Sequence, residues 1–592
     1  MKNALKELAF VLIILILSFG ALRPLFVPGF FPMHDDTQPA RVYEMAQALA
    51  FGQFPVRWVS DLGYGYGYPL FNFYAPLPYY VGAFFNLRGT DAITATKIMF
   101  GIGIILSALS MYFLGKELSG TLAGVAVSML YLYAPYHAVN IYVRGAVGEY
   151  YAYGFLPLLL LGILKIIKSP RLLKKNRPLN NLQSDPDQLK KGLLLSSLGF
   201  SGLLLSHNIL GFITTFFLII GLFLYLIYTL LKRVRLRTFL VLLFCLSVGF
   251  GIAAFFTVPA VAENKFTRVD ELITGGSDFH QHFVYLDQLW DSPWGYGGSA
   301  PGRADGMSFK IGKVQLLLGF AAIIYLFYLH IFRPKDGPNR SLSIIILISS
   351  TVFIVSIFLM LEQSKVIWEI LPGFSYIQYP WRFLNFTLIS LTILTSFLFI
   401  AQKRIIQILL AVTIIGLTLW INIKYFVPQL YLSSQDKDYV SKFNLSYKIS
   451  KISDEYLPHG FLIPRGPNEI VFHGMENAPN IASPEIIVNK IIKETPTEKS
   501  YSIIARKKSN TVTNLTFFPG WQAFLDGSKI PIGSSKGRIT VLIFPGQHSL
   551  EFRLTNTFIQ SFSNTVSLFS LFLLVYVTIL VGKNRLWQKD IR

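Results

Sequence analysis

The sequence predicts a polytopic α-helical membrane protein with about twelve transmembrane helices and a small external β-sandwich near its C-terminus. Three observations lead there. Of 592 residues, 53% are hydrophobic and 14% charged, where a soluble domain carries roughly 25% charged residues. Twelve apolar runs come close to or exceed the ~20 residues that cross a bilayer core. The polar and turn-forming residues are gathered into a few segments between those runs. The same composition excludes a purely soluble enzyme, a disordered chain and a nucleic-acid-binding module.

The runs lie near 8–26, 92–114, 119–136, 150–167, 192–206, 209–230, 238–258, 313–332, 342–361, 383–401, 405–423 and 563–582. The first reads as an anchor rather than a cleaved signal, because no small-x-small site follows it. Run 192–206 is short, and its boundary with the next is blurred at His207-Asn208. Residues 69–87 are apolar and aromatic, but Pro69, Pro76 and Pro78 interrupt the helical pattern. If this stretch crossed the bilayer, the basic loops around Lys174 and Lys232 would face outward. If it only dips into the interface, every basic loop faces the cytoplasm, including Arg333–Arg340, Lys403-Arg404 and Lys583–Arg592, as the positive-inside rule favours. The net charge of +21 is then a statement of orientation: a plasma-membrane protein with both termini cytoplasmic. Loops 27–68, 137–149, 259–312, 362–382 and 424–562 become external. The chain divides into a membrane part (1–423), an external β-rich part (424–562) and a last span with a basic tail (563–592). The single cysteine, Cys245, allows no intrachain disulfide.

In the β-rich part, Phe-Leu-Asp-Gly at 524–527 reads as a turn. Alternating Ile539, Val541, Ile543 and Leu550, Phe552, Leu554 around Pro545-Gly546 read as two half-buried strands of one hairpin. The stretch 432–500 is less readable.

Residues with chemistry cluster in the predicted external loops. His34, Asp35 and Asp36 follow the first span. Adjacent acids near a membrane surface suit a divalent cation, or one of them a general base; as solvated loop acids they would do neither. Residues 37–51 have helical spacing, consistent with a helix lying on the surface. Gly63, Gly65 and Gly67 alternate with Tyr64, Tyr66 and Tyr68, either a sugar-stacking surface or an interfacial aromatic belt. In the second loop, Arg144 and Glu149 stand at the start of a span, where a charge must face a cavity or a partner. Loop 259–312 holds His280, His282 and Trp290, Trp294 and Tyr296, too few ligands for a metal on their own. Arg382, beside Pro380-Trp381, suits a phosphate or a snorkelling anchor. His207 reads as a packed histidine rather than a base.

The order of these features (His34-Asp35-Asp36, GYGYPLFNFYAPLPYY at 63–80, VRGAVGEYYAY at 143–153, QYPWRF at 378–383, and a tail with FFPGWQAFLDG and FPGQHSLEF) resembles the bacterial membrane proteins labelled 6-pyruvoyl-tetrahydropterin synthase-related. These sit within the GT-C glycosyltransferase superfamily alongside the YfhO-like proteins. The resemblance runs over essentially the whole chain. It implies a GT-C-like fold and a membrane glycosyltransferase that moves a sugar from a polyprenyl-phosphate-linked donor to a glycan or lipid acceptor on the outer face. By that pattern Asp35 or Asp36, with Asp36 ahead, is the catalytic base. Glu149 is a second acidic site and Arg382 holds the lipid phosphate; the reading of the residues themselves adds His34, Arg144, Tyr66 and Tyr68 to the substrate site. No histidine cluster of a pterin synthase is present, and no WWD-type tail motif of the oligosaccharyltransferases. Without an Asp-x-Asp pair, dependence on a divalent cation stays open. Two alternatives stand beside this reading: a transporter or flippase of a lipid-linked glycan, and a non-catalytic membrane scaffold with an external binding domain.

Overall fold

A computed structural model describes residues 2–169, 186–231, 236–273, 275–333, 340–470 and 484–582. Among the described residues, nine helices are long and apolar enough to cross a membrane: Ala92–Ser119, Val147–Ile167, Asn208–Leu231, Leu236–Ala262, Lys313–Phe332, Leu342–Met360, Pro380–Phe399, Arg404–Tyr425 and Phe558–Val581. Two bent pairs, Ala4–Leu17 with Phe19–Phe26 (41°) and Thr121–Leu132 with Pro135–Val143 (52°), bring the number to eleven. These account for eleven of the twelve expected runs. The twelfth, 192–206, lies in the 21-residue helix Pro186–Ser206, which His207 separates from the next helix. Helix Pro186–Ser206 lies flush on Val147–Ile167: a Cβ at Gly162 would collide with the Ser196 backbone. Its buried Ser196 and Ser197 hydroxyls bond the carbonyls of Gly192 and Cys245 at 2.7 and 3.0 Å.

The proline-interrupted stretch forms only Leu70–Phe73 and the ten-residue helix Leu77–Asn86. Ten residues rise about 15 Å, half of the hydrocarbon thickness, so neither helix spans alone. Helix Gln38–Ala50 forms where the spacing predicts it. It does not lie on the surface, however: Ala40, Val42, Met45 and Ala48, and also Arg41 and Glu44, are buried, because the C-terminal part of the chain covers the side that amphipathic spacing assigns to solvent.

That C-terminal part contains eight strands: β1 (Ile486–Glu494), β2 (Glu498–Ala505), β3 (Ser509–Thr516), β4 (Trp521–Leu525), β5 (Ser528–Ile530), β6 (Gly533–Ser535), β7 (Arg538–Ile543) and β8 (Gly546–Leu554). They make two antiparallel sheets, ordered β1-β2-β8-β4-β5 and β3-β7-β6. The turn at 524–527 joins β4 to β5 through Asp526 and Gly527, both at positive φ, as a two-residue hairpin loop requires. The expected hairpin of β7 and β8 is not formed. The two strands are consecutive but belong to different sheets; β7 pairs with β3 and β8 with β2 and β4. Their apolar rows, Ile539, Val541, Ile543 and Leu550, Phe552, are buried as predicted, with Leu554 partly so.

The β region is seated on the first loop. Thr516 N–H donates to the Tyr66 carbonyl at 3.2 Å, and Ser446 to the Asp61 carbonyl at 3.3 Å. Trp58 meets Trp521 edge-on with centroids 5.3 Å apart. Arg41 donates to Ser453 Oγ at 2.5 Å and lies 4.0 Å over the Tyr74 ring.

Candidate functional site

The site lies at the end of the helical bundle that carries the β region. Its frame is a tie between the first two loops. His34 N–H donates to the Val143 carbonyl and Asp35 N–H to the Arg144 carbonyl, each at 2.9 Å. Gln38 Nε2 donates to the Gly145 carbonyl at 2.8 Å, and Gln38 Oε1 accepts from Tyr79 Oη at 2.6 Å. The bent span ends in a π-helical turn, Val139–Val143, an insertion that re-aims side chains and recurs at functional sites. Here it turns Asn140 and Arg144 toward Glu149. Gly145 follows at φ +68°, and a Cβ there would strike the Met33 side chain.

Glu149 is fully buried and surrounded by donors. Arg144 Nη1 lies 2.8 Å from its Oε1 and 2.5 Å from Asn140 Oδ1. Tyr136 donates to Oε2 at 3.1 Å. Arg382 Nε stands 3.5 Å and His207 Nε2 3.9 Å from Oε1. Arg382 Nη1 donates to the Ile377 carbonyl (2.5 Å) and to Gln378 Oε1 (3.1 Å). The Arg144 guanidinium also stacks 4.5 Å over Trp381. One buried carboxylate is thus shared by two buried guanidiniums. Among the described residues no second carboxylate lies within 4 Å of either; Asp35 acts on Arg144 from farther off, while Arg382, whose Nε is buried without a hydrogen bond, shares Glu149 alone, which favours an anionic ligand there.

Asp35 and Asp36 turn to different partners. Burial pushes the Asp35 carboxyl up, but the hydrogen bond from His34 Nδ1 (3.0 Å) and the charge of Arg144 outweigh it and hold it below the ordinary value. The same bond raises the His34 ring. Asp36 accepts from Tyr439 Oη at 3.1 Å. Burial pushes it up to about 6, and the tyrosine bond only partly offsets that. Among the described residues no three His, Cys, Asp or Glu side chains gather as metal ligands.

Six of the eight residues named from the sequence therefore share this boundary: His34, Asp35, Asp36, Arg144, Glu149 and Arg382. Tyr66 and Tyr68 sit apart, inside the contact with the β region. Tyr68 stacks on Tyr456 (5.9 Å), and Tyr66 meets Phe461 edge-on (5.3 Å) under the Arg538 guanidinium; protein packs on both rings where sugar stacking would need an open face. His207 is packed as read, its Nδ1 accepting from Leu210 N–H at 3.1 Å, but it also edges the centre. The sequence reading missed Tyr439, Asn140 and Tyr136. Loop 259–312 reaches the site through Gly298, which lies against His34, and through His282, whose ring sits 4.7 Å from Tyr379. Trp294 instead packs on Tyr425.

Residues 71–176, which include Arg144 and Glu149, match a family described as the 6-pyruvoyl-tetrahydropterin synthase related domain, membrane protein. Among curated proteins none matches the sequence. Solved structures similar in course include the oligosaccharyltransferase of Archaeoglobus fulgidus in its apo form. It is 11% identical at a TM-score of 0.45, covering 79% of this chain and 61% of that one. The same organism's AglB, in complex with an inhibitory peptide and a dolichol-phosphate, is 12% identical (TM-score 0.43; 80% and 62% covered). ArnT from Cupriavidus metallidurans is 11% identical (TM-score 0.28; 67% and 78% covered). The chain spans about three fifths of the archaeal enzyme's length.

Proposed function

We propose that this protein is a membrane glycosyltransferase of the GT-C kind, moving a sugar from a polyprenyl-phosphate donor to a glycan or lipid hydroxyl at the outer face of the plasma membrane. The observation that carries the proposal is the pairing of two chemistries on one boundary. A centre with two arginines and one glutamate suits a phosphate, and the loop tied to it through Asp35 carries the carboxyl of Asp36, pushed up to about 6.

In this scheme Arg382 and Arg144 hold the lipid phosphate, with Glu149 keeping both guanidiniums in place. The acceptor hydroxyl gives its proton to Asp36 as its oxygen bonds the anomeric carbon. The bond from that carbon to the phosphate oxygen breaks, and the lipid phosphate leaves with the electron pair. Growing charge on the leaving oxygen is met by the arginines already fixed there. Asp35, held ionised by His34 and Arg144, orients the arginine side of the site. The donor's tail stays in lipid throughout, which a centre at the membrane boundary permits.

The test is transfer in membranes containing wild type or Asp36→Asn, with a panel of polyprenyl-phosphate sugars. The proposal expects wild-type turnover of at least one donor and a loss of about 10²–10⁴-fold in the variant. Equal transfer by both removes Asp36 as the base. No turnover by either favours the scaffold reading.

A further inference from the structure

A further buried cation stands in the wall of a cavity away from the arginine–glutamate centre. The cavity, of about 290 Å³, lies where loop 51–58 meets the ends of the β strands and the start of the last helix; Arg57, Asn556 and Gln560 are among its polar lining. Arg57 is only 6% exposed. Its guanidinium is held by neutral acceptors: Asn72 Oδ1 at 3.0 Å, the Phe255 carbonyl at 2.8 Å and Asn564 Oδ1 at 2.9 Å. Its Nε is buried without a partner. Among the described residues no carboxylate oxygen lies within 4 Å. The nearest acid in the network, Glu263, is reached only through Asn72 (2.9 Å) and Gln560 (2.9 Å). Burial pushes the guanidinium down to about 10, and the charge of Glu263, one side chain removed, offsets that only in part.

This differs in kind from Arg144, whose charge a buried carboxylate meets directly. A buried cation without a direct counter-charge is costly unless a ligand supplies one. The rim says which ligand. Phe54 and Phe51 line the opening and are 77% and 54% exposed. Phe558 and Phe562 on the adjoining last helix are exposed too. Large apolar side chains bared together at one rim mark a surface for hydrocarbon. An anion-accepting wall under an apolar rim fits an amphiphile with a charged head.

We propose that this cavity binds the phosphate-ester headgroup of a membrane lipid, with the Arg57 guanidinium against the phosphate and the hydrocarbon tail leaving past Phe51 and Phe54. The site is separate from the sugar-transfer centre and stands whether or not that reading holds. The chain of contacts Arg57–Asn72, then the Phe73 carbonyl to Asn208 Nδ2 (2.7 Å), then His207 beside Glu149, puts it on the same boundary.

The test is thermal unfolding of the full-length protein in neutral detergent, titrated with dodecyl phosphate, dodecanol or inorganic phosphate. It uses wild type, Arg57→Gln, Thr497→Trp and Arg382→Gln. Thr497 lines the cavity, so the tryptophan fills it while leaving the Arg57 network intact. Dodecyl phosphate should stabilise wild type and Arg382→Gln saturably, with apparent affinity falling about tenfold or more in Arg57→Gln and Thr497→Trp. An equal shift with dodecanol, or undiminished binding when Arg57→Gln and Thr497→Trp are each combined with Arg382→Gln, overturns the proposal. An equal shift with inorganic phosphate assigns the site to a free anion and overturns its lipid part.

Discussion

Asp35 and Asp36 are adjacent in sequence, yet their carboxyls titrate in opposite directions because each faces a different neighbour. Asp35 looks toward His34 and Arg144, and Asp36 toward Tyr439 and a desolvated wall. Because the base must be ionised, transfer should rise with pH through about 6. Tyr439→Phe, by removing a bond that lowers the Asp36 value, should move that midpoint upward; an unmoved profile would detach Asp36 from the rate. Stability has the opposite sign. The folded value lies above the unfolded one, so ionisation costs the native state. Asp36→Asn should therefore gain about 1 kcal/mol at pH 8, an advantage that shrinks as pH falls toward 4. Thermal unfolding at the two pH values checks this. Glu149→Gln should do the reverse, leaving two buried guanidiniums facing each other and costing about 3–5 kcal/mol. Coupling it with Arg382→Met should return part of the loss. The charged members of the site were legible in the sequence, because a charge at a span end must find a partner or a cavity. Tyr439 was not, since a tyrosine far along the chain declares its partner only once the β region is seated.

Elements show a second kind of illegibility. Alternation along β7 and β8 told which side chains go inward, and those are buried. It could not tell whether two inward rows lie side by side in one sheet or come from two sheets, because both arrangements bury every second residue. Ser502→Cys with Ser549→Cys, facing positions on β2 and β8, should form a disulfide in a Cys245→Ser background, whereas Leu542→Cys with Ser549→Cys, which a hairpin turning at Pro545-Gly546 would set opposite each other, should not. The tyrosine–glycine segment misled for a related reason: an aromatic row looks alike whether a ligand or a β region covers it. The π-helical turn left no sequence signal, yet it is what aims Arg144. Gly145→Ala, forced to φ +68° against Met33, should cost about 1–2 kcal/mol and loosen the tie between His34-Asp35 and Val143-Arg144. Its effect should exceed that of alanine at Gly52, which has positive φ but open space around it.

At the scale of the molecule, the apolar runs foretold eleven crossing-length segments, and the twelfth run lies in Pro186–Ser206. The prolines foretold that 69–87 breaks into helices too short to cross. Counting Pro186–Ser206 and each bent pair as one crossing makes the total even, and on that count the account expects His34, Asp36, Glu149 and Arg382 to face one compartment. Several basic loops that argue which compartment this is, among them those around Lys174, Lys232 and Lys583–Arg592, lie outside the described residues. Lys437 is exposed two residues from Tyr439, and Lys403 is exposed at the other end of helix Arg404–Asn422. Single-cysteine variants at these two positions, with Cys245→Ser, should be treated in intact cells with a membrane-impermeant maleimide. The account predicts labelling at 437 and none at 403 until the cells are opened. Labelling at 403 with 437 protected would put the arginine–glutamate centre in the cytoplasm and contradict sugar transfer at the outer face.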